Sequence, residues 1–100
     1  MISVSITKDN AKYKKIVVSG HALYDDYGKD IVCSAVSSIT TTTINGILSL
    51  DKDSLSYEVN EDGLKIIINS DDNVTQTLIQ NMINLLKELE SNYPANVKVK

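Results

Sequence analysis

The chain holds a single cysteine and a single histidine, twelve positions apart, in Ser19-Gly20-His21-Ala22 and Asp30-Ile31-Val32-Cys33-Ser34-Ala35-Val36-Ser37. One thiol and one imidazole are the minimum equipment for nucleophilic cysteine catalysis: the imidazole takes the thiol proton, the thiolate attacks a carbonyl, and the imidazolium returns the proton to the leaving group. Position adds to type. Asp30 has the chemistry of a helix N-cap, which makes Cys33 the third helical residue, beside free backbone N–H groups and the positive end of the helix dipole. Both favour a thiolate, and the same N–H groups suit the oxyanion of a tetrahedral intermediate. The charge of Asp30 works partly against the thiolate, although Asp30 is also the nearest acid to orient His21. Ser37 lies one turn beyond Cys33 on nearly the same helix face, so its hydroxyl can support the sulfur or a bound substrate.

The pair also admits a plain structural reading: a lone cysteine near a helix start is commonly a small, half-buried apolar residue. A Cys–His pair without two further ligands at short spacing makes a poor zinc site. Gly20 and Gly28 belong to no glycine-rich phosphate loop. Tyr24 and Tyr27 are candidates to line a substrate groove, and Asp25 and Asp26 read as a solvated loop.

The scaffold must be small. One hundred residues, 42% of them apolar, make a single domain spanning 1–100 with one modest core. Its apolar content is aliphatic, since Phe and Trp are absent, and every basic residue is lysine. A net charge of −3 without a basic stripe argues against a nucleic-acid partner. The chain opens directly on an alternating strand pattern, with no leader-like segment and no apolar run expected to span a bilayer. A single cysteine forms no internal disulfide, which fits a reducing cytoplasm.

Periodicity orders the elements. Ile2, Val4 and Ile6 alternate in a first strand, Asp9-Asn10 mark a turn, and Tyr13 to Ser19 form a second strand. Residues 20–29 make a long connection, the usual place for a site. A helix follows from about Asp30 to about Leu50, with Val32, Val36, Ile39, Thr43 and Ile47 on one stripe and Cys33 about 80° from its middle. The run Thr40 to Thr43 has poor helix propensity and needs burial to hold it. Leu55, Tyr57 and Val59 alternate in a third strand, and Leu64, Ile66 and Ile68 in a fourth beyond the Asn60–Gly63 turn. Asp71 or Asp72 caps a second helix whose face carries Val74, Leu78, Met82, Leu85 and Leu89, widened by Ile79, Ile83 and Leu86. Pro94 ends that helix, and Val97 with Val99 form a last strand. The expectation is an α+β ββαββαβ sandwich, a mostly antiparallel sheet with two helices packed on one face.

Gly20-His21-Ala22 together with Gly28-Lys29-Asp30-Ile31-Val32-Cys33-Ser34-Ala35-Val36-Ser37 resembles the signature of the Prp family, the ribosomal-processing cysteine proteases. The likeness extends over nearly the whole chain in length, opening strand, element order and acidic balance. It implies that Cys33 is the nucleophile and His21 the general base and acid, and that no cofactor is required. It further implies that Asp30, Ser34 and Ser37 support the site, with Ser34 standing where many relatives carry alanine. Gly20 would be a hinge for a substrate loop that includes Ala22, Tyr24, Tyr27 and Gly28. The implied substrate is the N-terminal extension of bacterial large-subunit ribosomal protein twenty-seven, cut by a cytoplasmic homodimer without membrane or direct nucleic-acid partners. The rival reading is a non-catalytic binding module or ribosome assembly factor that uses the same loop.

Overall fold

Alternating apolar residues build a five-stranded sheet in the computed structural model, which describes residues 1–21, 23, 25, 26 and 30–100. The elements run β1 (Ile2–Asp9), β2 (Lys12–Ser19), α1 (Ile31–Leu50), β3 (Leu55–Asn60), β4 (Gly63–Ile68), α2 (Asn73–Asn92) and β5 (Val97–Val99). The strand order is β3-β4-β2-β1-β5. All pairings are antiparallel except β1 with β5. The expected ββαββαβ architecture is the observed one.

The registers align side chains in rows across the sheet. Ile6, Ile16, Ile66 and Tyr57 share one row, and Val4, Val18, Leu64 and Val59 share the next. The helices pack on this face: Val32, Val36, Ile44 and Ile47 of α1 and Ile79, Met82, Ile83 and Leu86 of α2 join the sheet residues in one core. The β1–β2 turn falls on Asn10 and Ala11, one residue later than the sequence suggests. Both have positive φ, 50° and 65°, the type I′ geometry that matches strand twist.

Three packing details differ from the sequence expectation. On α1 the buried row is Val32, Val36, Thr40, Ile44 and Ile47, while Ile39 and Thr43 are only half-buried. Thr40 is tolerated in the core because its hydroxyl donates to the Val36 carbonyl at 2.9 Å, so no polar group is left unsatisfied. On α2 the face is centred on Ile79, Met82, Ile83 and Leu86, and Val74 and Leu85 are exposed. Buried Gln76 fixes that rotation: its amide oxygen accepts the Tyr13 N–H at 2.8 Å, and its amide nitrogen donates to the carbonyls of Tyr13 and Ser70 at 3.1 and 3.0 Å. On β3, Leu55 is buried, but Tyr57 and Val59 are 52% and 69% exposed although they point to the helical side of the sheet.

α1 also departs from the expectation that no segment is apolar enough to span a bilayer. With 20 residues and a mean hydropathy of 1.4, it passes by length and composition. Here its apolar row is part of the core, as in the central helix of many globular proteins.

Candidate active site

The site forms where β2 gives way to α1. Gly20 carries the chain off the strand with φ +86°, and a Cβ there would lie 2.3 Å from the Met1 carbonyl oxygen. Only glycine allows that backbone to cross so close to the N-terminal residue. His21 follows at once and is exposed.

Asp30 ends the connection and starts the helix. It is only 7% exposed. Its Oδ1 accepts the backbone N–H groups of Val32 and Cys33, each at 3.0 Å, and its carbonyl accepts the Ser34 N–H at 3.1 Å. This is an N-cap that grips the peptide unit of Cys33 itself, so the backbone carrying the thiol is fixed by the fold. Cys33 itself is half-buried and packs against the core, the boundary position its angle on the helix implies. The N–H groups of Val32 and Cys33 therefore face a carboxylate and not a vacant oxyanion position, which differs from the sequence expectation.

His21 and Cys33 line one groove of about 840 Å³, together with Gly20, Asp30, Ser34 and Ser37. Ser34 and Ser37 are exposed on its helical rim. Leu23 and Asp25 stand at the same end, Leu23 with φ +57° and its side chain largely in solvent. Ala22, Tyr24, Tyr27 and Gly28 lie outside the described residues. Among the described residues no group of three His, Cys, Asp or Glu side chains is placed to hold a metal ion.

Sequence reasoning missed the far part of the groove. Thr40, Thr41, Ile44 and Asn45 of α1 form one wall, and Tyr57, Val59 and Leu64 of the β3–β4 hairpin form the other. Gly63 closes the hairpin end: its φ is +141°, and a Cβ would lie 2.0 Å from the Val18 carbonyl oxygen. The available signal was the alternation of β3, whose Tyr57 and Val59 face inward at the sheet edge, where one helix does not reach across them.

A thiol held at a capped helix start, sharing a groove with an imidazole on an α+β sheet, is the equipment of a thiol hydrolase. The sequence pattern described as cysteine protease Prp matches residues 1–98. The chain belongs to that family and is a cysteine protease. It is 29% identical over 103 residues to the ribosomal processing cysteine protease Prp of Staphylococcus aureus, covering 99% of this chain and 97% of that one. It is 25% identical over 107 residues to the Bacillus subtilis protein of the same name, with 99% and 96% covered. Among solved structures, the S. aureus protease with a covalently linked product peptide superposes with a TM-score of 0.92 at 27% identity, covering 100% of this chain and 98% of that one. The same protease with a substrate peptide gives a TM-score of 0.83 at 27% identity and the same coverage.

Proposed function

We propose that this protease removes the N-terminal extension of large-subunit ribosomal protein twenty-seven during ribosome maturation, with Cys33 as nucleophile and His21 as general base and acid. The observation that carries the reading is the presence of Cys33 and His21 on one groove in a chain matched by the protease family almost end to end. The names of the Staphylococcus and Bacillus relatives support ribosomal processing as the setting.

In this mechanism His21 takes the Cys33 thiol proton, and the sulfur attacks the scissile carbonyl carbon. The tetrahedral oxyanion collapses, the C–N bond breaks, and His21-H⁺ protonates the departing amine. Water, deprotonated by His21, then attacks the thioester and releases the acid product and the thiol. The Val32 and Cys33 N–H groups serve Asp30, so the Ser34 hydroxyl, adjacent to Cys33 on the groove rim, is the proposed oxyanion donor. Ser37 supports the bound peptide, Gly20 acts as the hinge, and residues 22, 24, 27 and 28 belong to the substrate loop. The protein acts in the cytoplasm as a homodimer, away from membranes and without direct nucleic-acid contact; the resemblance to the family supports these assignments. Light scattering on the purified protein tests the dimer.

Mass spectrometry of the host's precursor ribosomal protein, incubated with wild type and with Cys33→Ala, tests the function. A single N-terminal cut by wild type alone is expected. An intact precursor that still binds would favour the binding-module reading, and a cut by both proteins would remove Cys33 as the nucleophile.

A further inference from the structure

The groove does not end at the catalytic pair. From Cys33 it follows α1 through Ser37, Thr41 and Asn45, residues spaced at helical intervals along one rim. The distance along the helix axis from Cys33 to Asn45 is about 18 Å at 1.5 Å per residue. An extended peptide rises about 3.3 Å per residue, so this length accommodates about five residues.

The two walls differ in chemistry. The rim carries the exposed polar side chains of Thr41 and Asn45, suited to peptide N–H and C=O groups. Opposite them stand Tyr57 and Val59. Ile16 and Ile66, in the row of Tyr57, are wholly buried, and Val18, in the row of Val59, is buried as well, so Tyr57 and Val59 are core-facing side chains that the fold leaves uncovered. Ile44 lies beneath, at the foot of the helical wall.

Acyl transfer decides which half of a peptide needs this length. Once the amine departs, the acyl half remains on sulfur until water arrives, and non-covalent contacts must hold it aligned. The long arm of the groove, continuous with Cys33, is suited to that half.

We propose that Thr41, Asn45, Tyr57 and Val59 form a distal recognition site for the segment N-terminal to the scissile bond, about five residues upstream. An apolar side chain sits over Ile44 against Tyr57 and Val59, and Thr41 and Asn45 hydrogen-bond the peptide backbone. This inference rests on the proposed proteolytic reading of the same groove.

The test uses peptides spanning the cut in the host's precursor ribosomal protein, shortened one residue at a time from the N-terminal end. With wild type, kcat/KM should fall about 10-fold when the residue about five positions upstream is removed or changed to Ser. Tyr57→Ser and Asn45→Ala should raise KM for the full peptide with little change in kcat, and should be nearly indifferent to that truncation. Both positions are exposed, so both variants should fold. Indifference of wild type to the truncation would overturn the distal site while leaving proteolysis intact. Failure of wild type to cut any peptide or precursor would instead sink the proteolytic reading. If Tyr57→Ser cuts normally but changes oligomeric state, the wall binds a second copy of the chain, and the proposal is wrong.

Discussion

The two ββα halves of the molecule share a plan and differ in how the helix is joined to its hairpin. In the second half, residues 69–72 link β4 to α2, and Gln76 ties the helix directly to the backbone of β2. The result is a sealed face in which Ile79, Met82, Ile83 and Leu86 have no exposed surface. In the first half, residues 20–30 link β2 to α1. The helix buries one row and leaves Tyr57 and Val59 open beside it, and Cys33 and His21 sit at the end of that opening. One half is closed by a short connection and a polar clamp. The other accepts a long connection and an uncovered apolar strip, and the proposed catalytic pair is located there. On the proposed reading, the open arrangement lets a peptide enter between helix and sheet.

The contrast predicts that activity and stability respond to different halves. The largest effect should come from the open half: His21→Ala is expected to lower precursor cleavage by about 10³-fold or more. Because His21 is exposed, the unfolding free energy should move by less than about 0.5 kcal/mol. Rate assays and denaturant titration on the same samples check both; a variant that loses stability and activity in parallel breaks the distinction. Ile83→Ala in the closed half should do the reverse, costing about 2–5 kcal/mol of stability with kcat per folded molecule unchanged. Gly20→Ala should fall between the two. A Cβ at φ +86° and 2.3 Å from the Met1 oxygen should cost at least about 1–2 kcal/mol and also displace His21. If Gly20→Ala keeps its unfolding midpoint, the crossing over Met1 is not fixed, and a hinge role gains weight.

The same contrast explains which parts were legible in the sequence. Strands and helix starts were readable because alternation and capping are local: Ile2-Val4-Ile6 and Asp30 announce themselves within a few residues. Cys33 and His21 were legible by rarity, and their neighbourhood by the Gly-His-Ala and Asp-Ile-Val-Cys segments. Helix rotation was less accessible. The α2 face turns on Gln76 meeting Tyr13, a contact 63 positions apart in the chain. The groove wall was hidden for a related reason: Tyr57 and Val59 alternate as core residues do, and only the tertiary placement of α1 determines that they stay uncovered. The fate of the Val32 and Cys33 N–H groups was hidden too, because naming Asp30 as a cap does not say which donors its carboxylate occupies.

The two capping aspartates give the finest comparison and the smallest expected effects. Asp30 is buried and holds the peptide unit of Cys33; Asp72 is exposed and accepts the Thr75 N–H at 2.7 Å. Asp30→Ala should cost about 0.5–2 kcal/mol and should also lower kcat, because the backbone that carries the sulfur loses its anchor. Asp72→Asn should leave kcat unchanged, lower stability slightly at neutral pH and remove the loss of the carboxylate's contribution in acid. Hydrogen bonds from the Ser70 hydroxyl and the Thr75 N–H hold the Asp72 carboxyl below its ordinary value of 3.8. A lowered folded-state value means that the ionised form stabilises the fold. That contribution is complete above the unfolded value and is lost as pH falls through the folded one. The melting-temperature gap between wild type and Asp72→Asn should therefore be constant above about pH 5 and close as the solution is acidified beyond 3.8. A gap that widens in acid would reverse the sign of the linkage and show that the Ser70 and Thr75 hydrogen bonds do not favour the charged carboxylate.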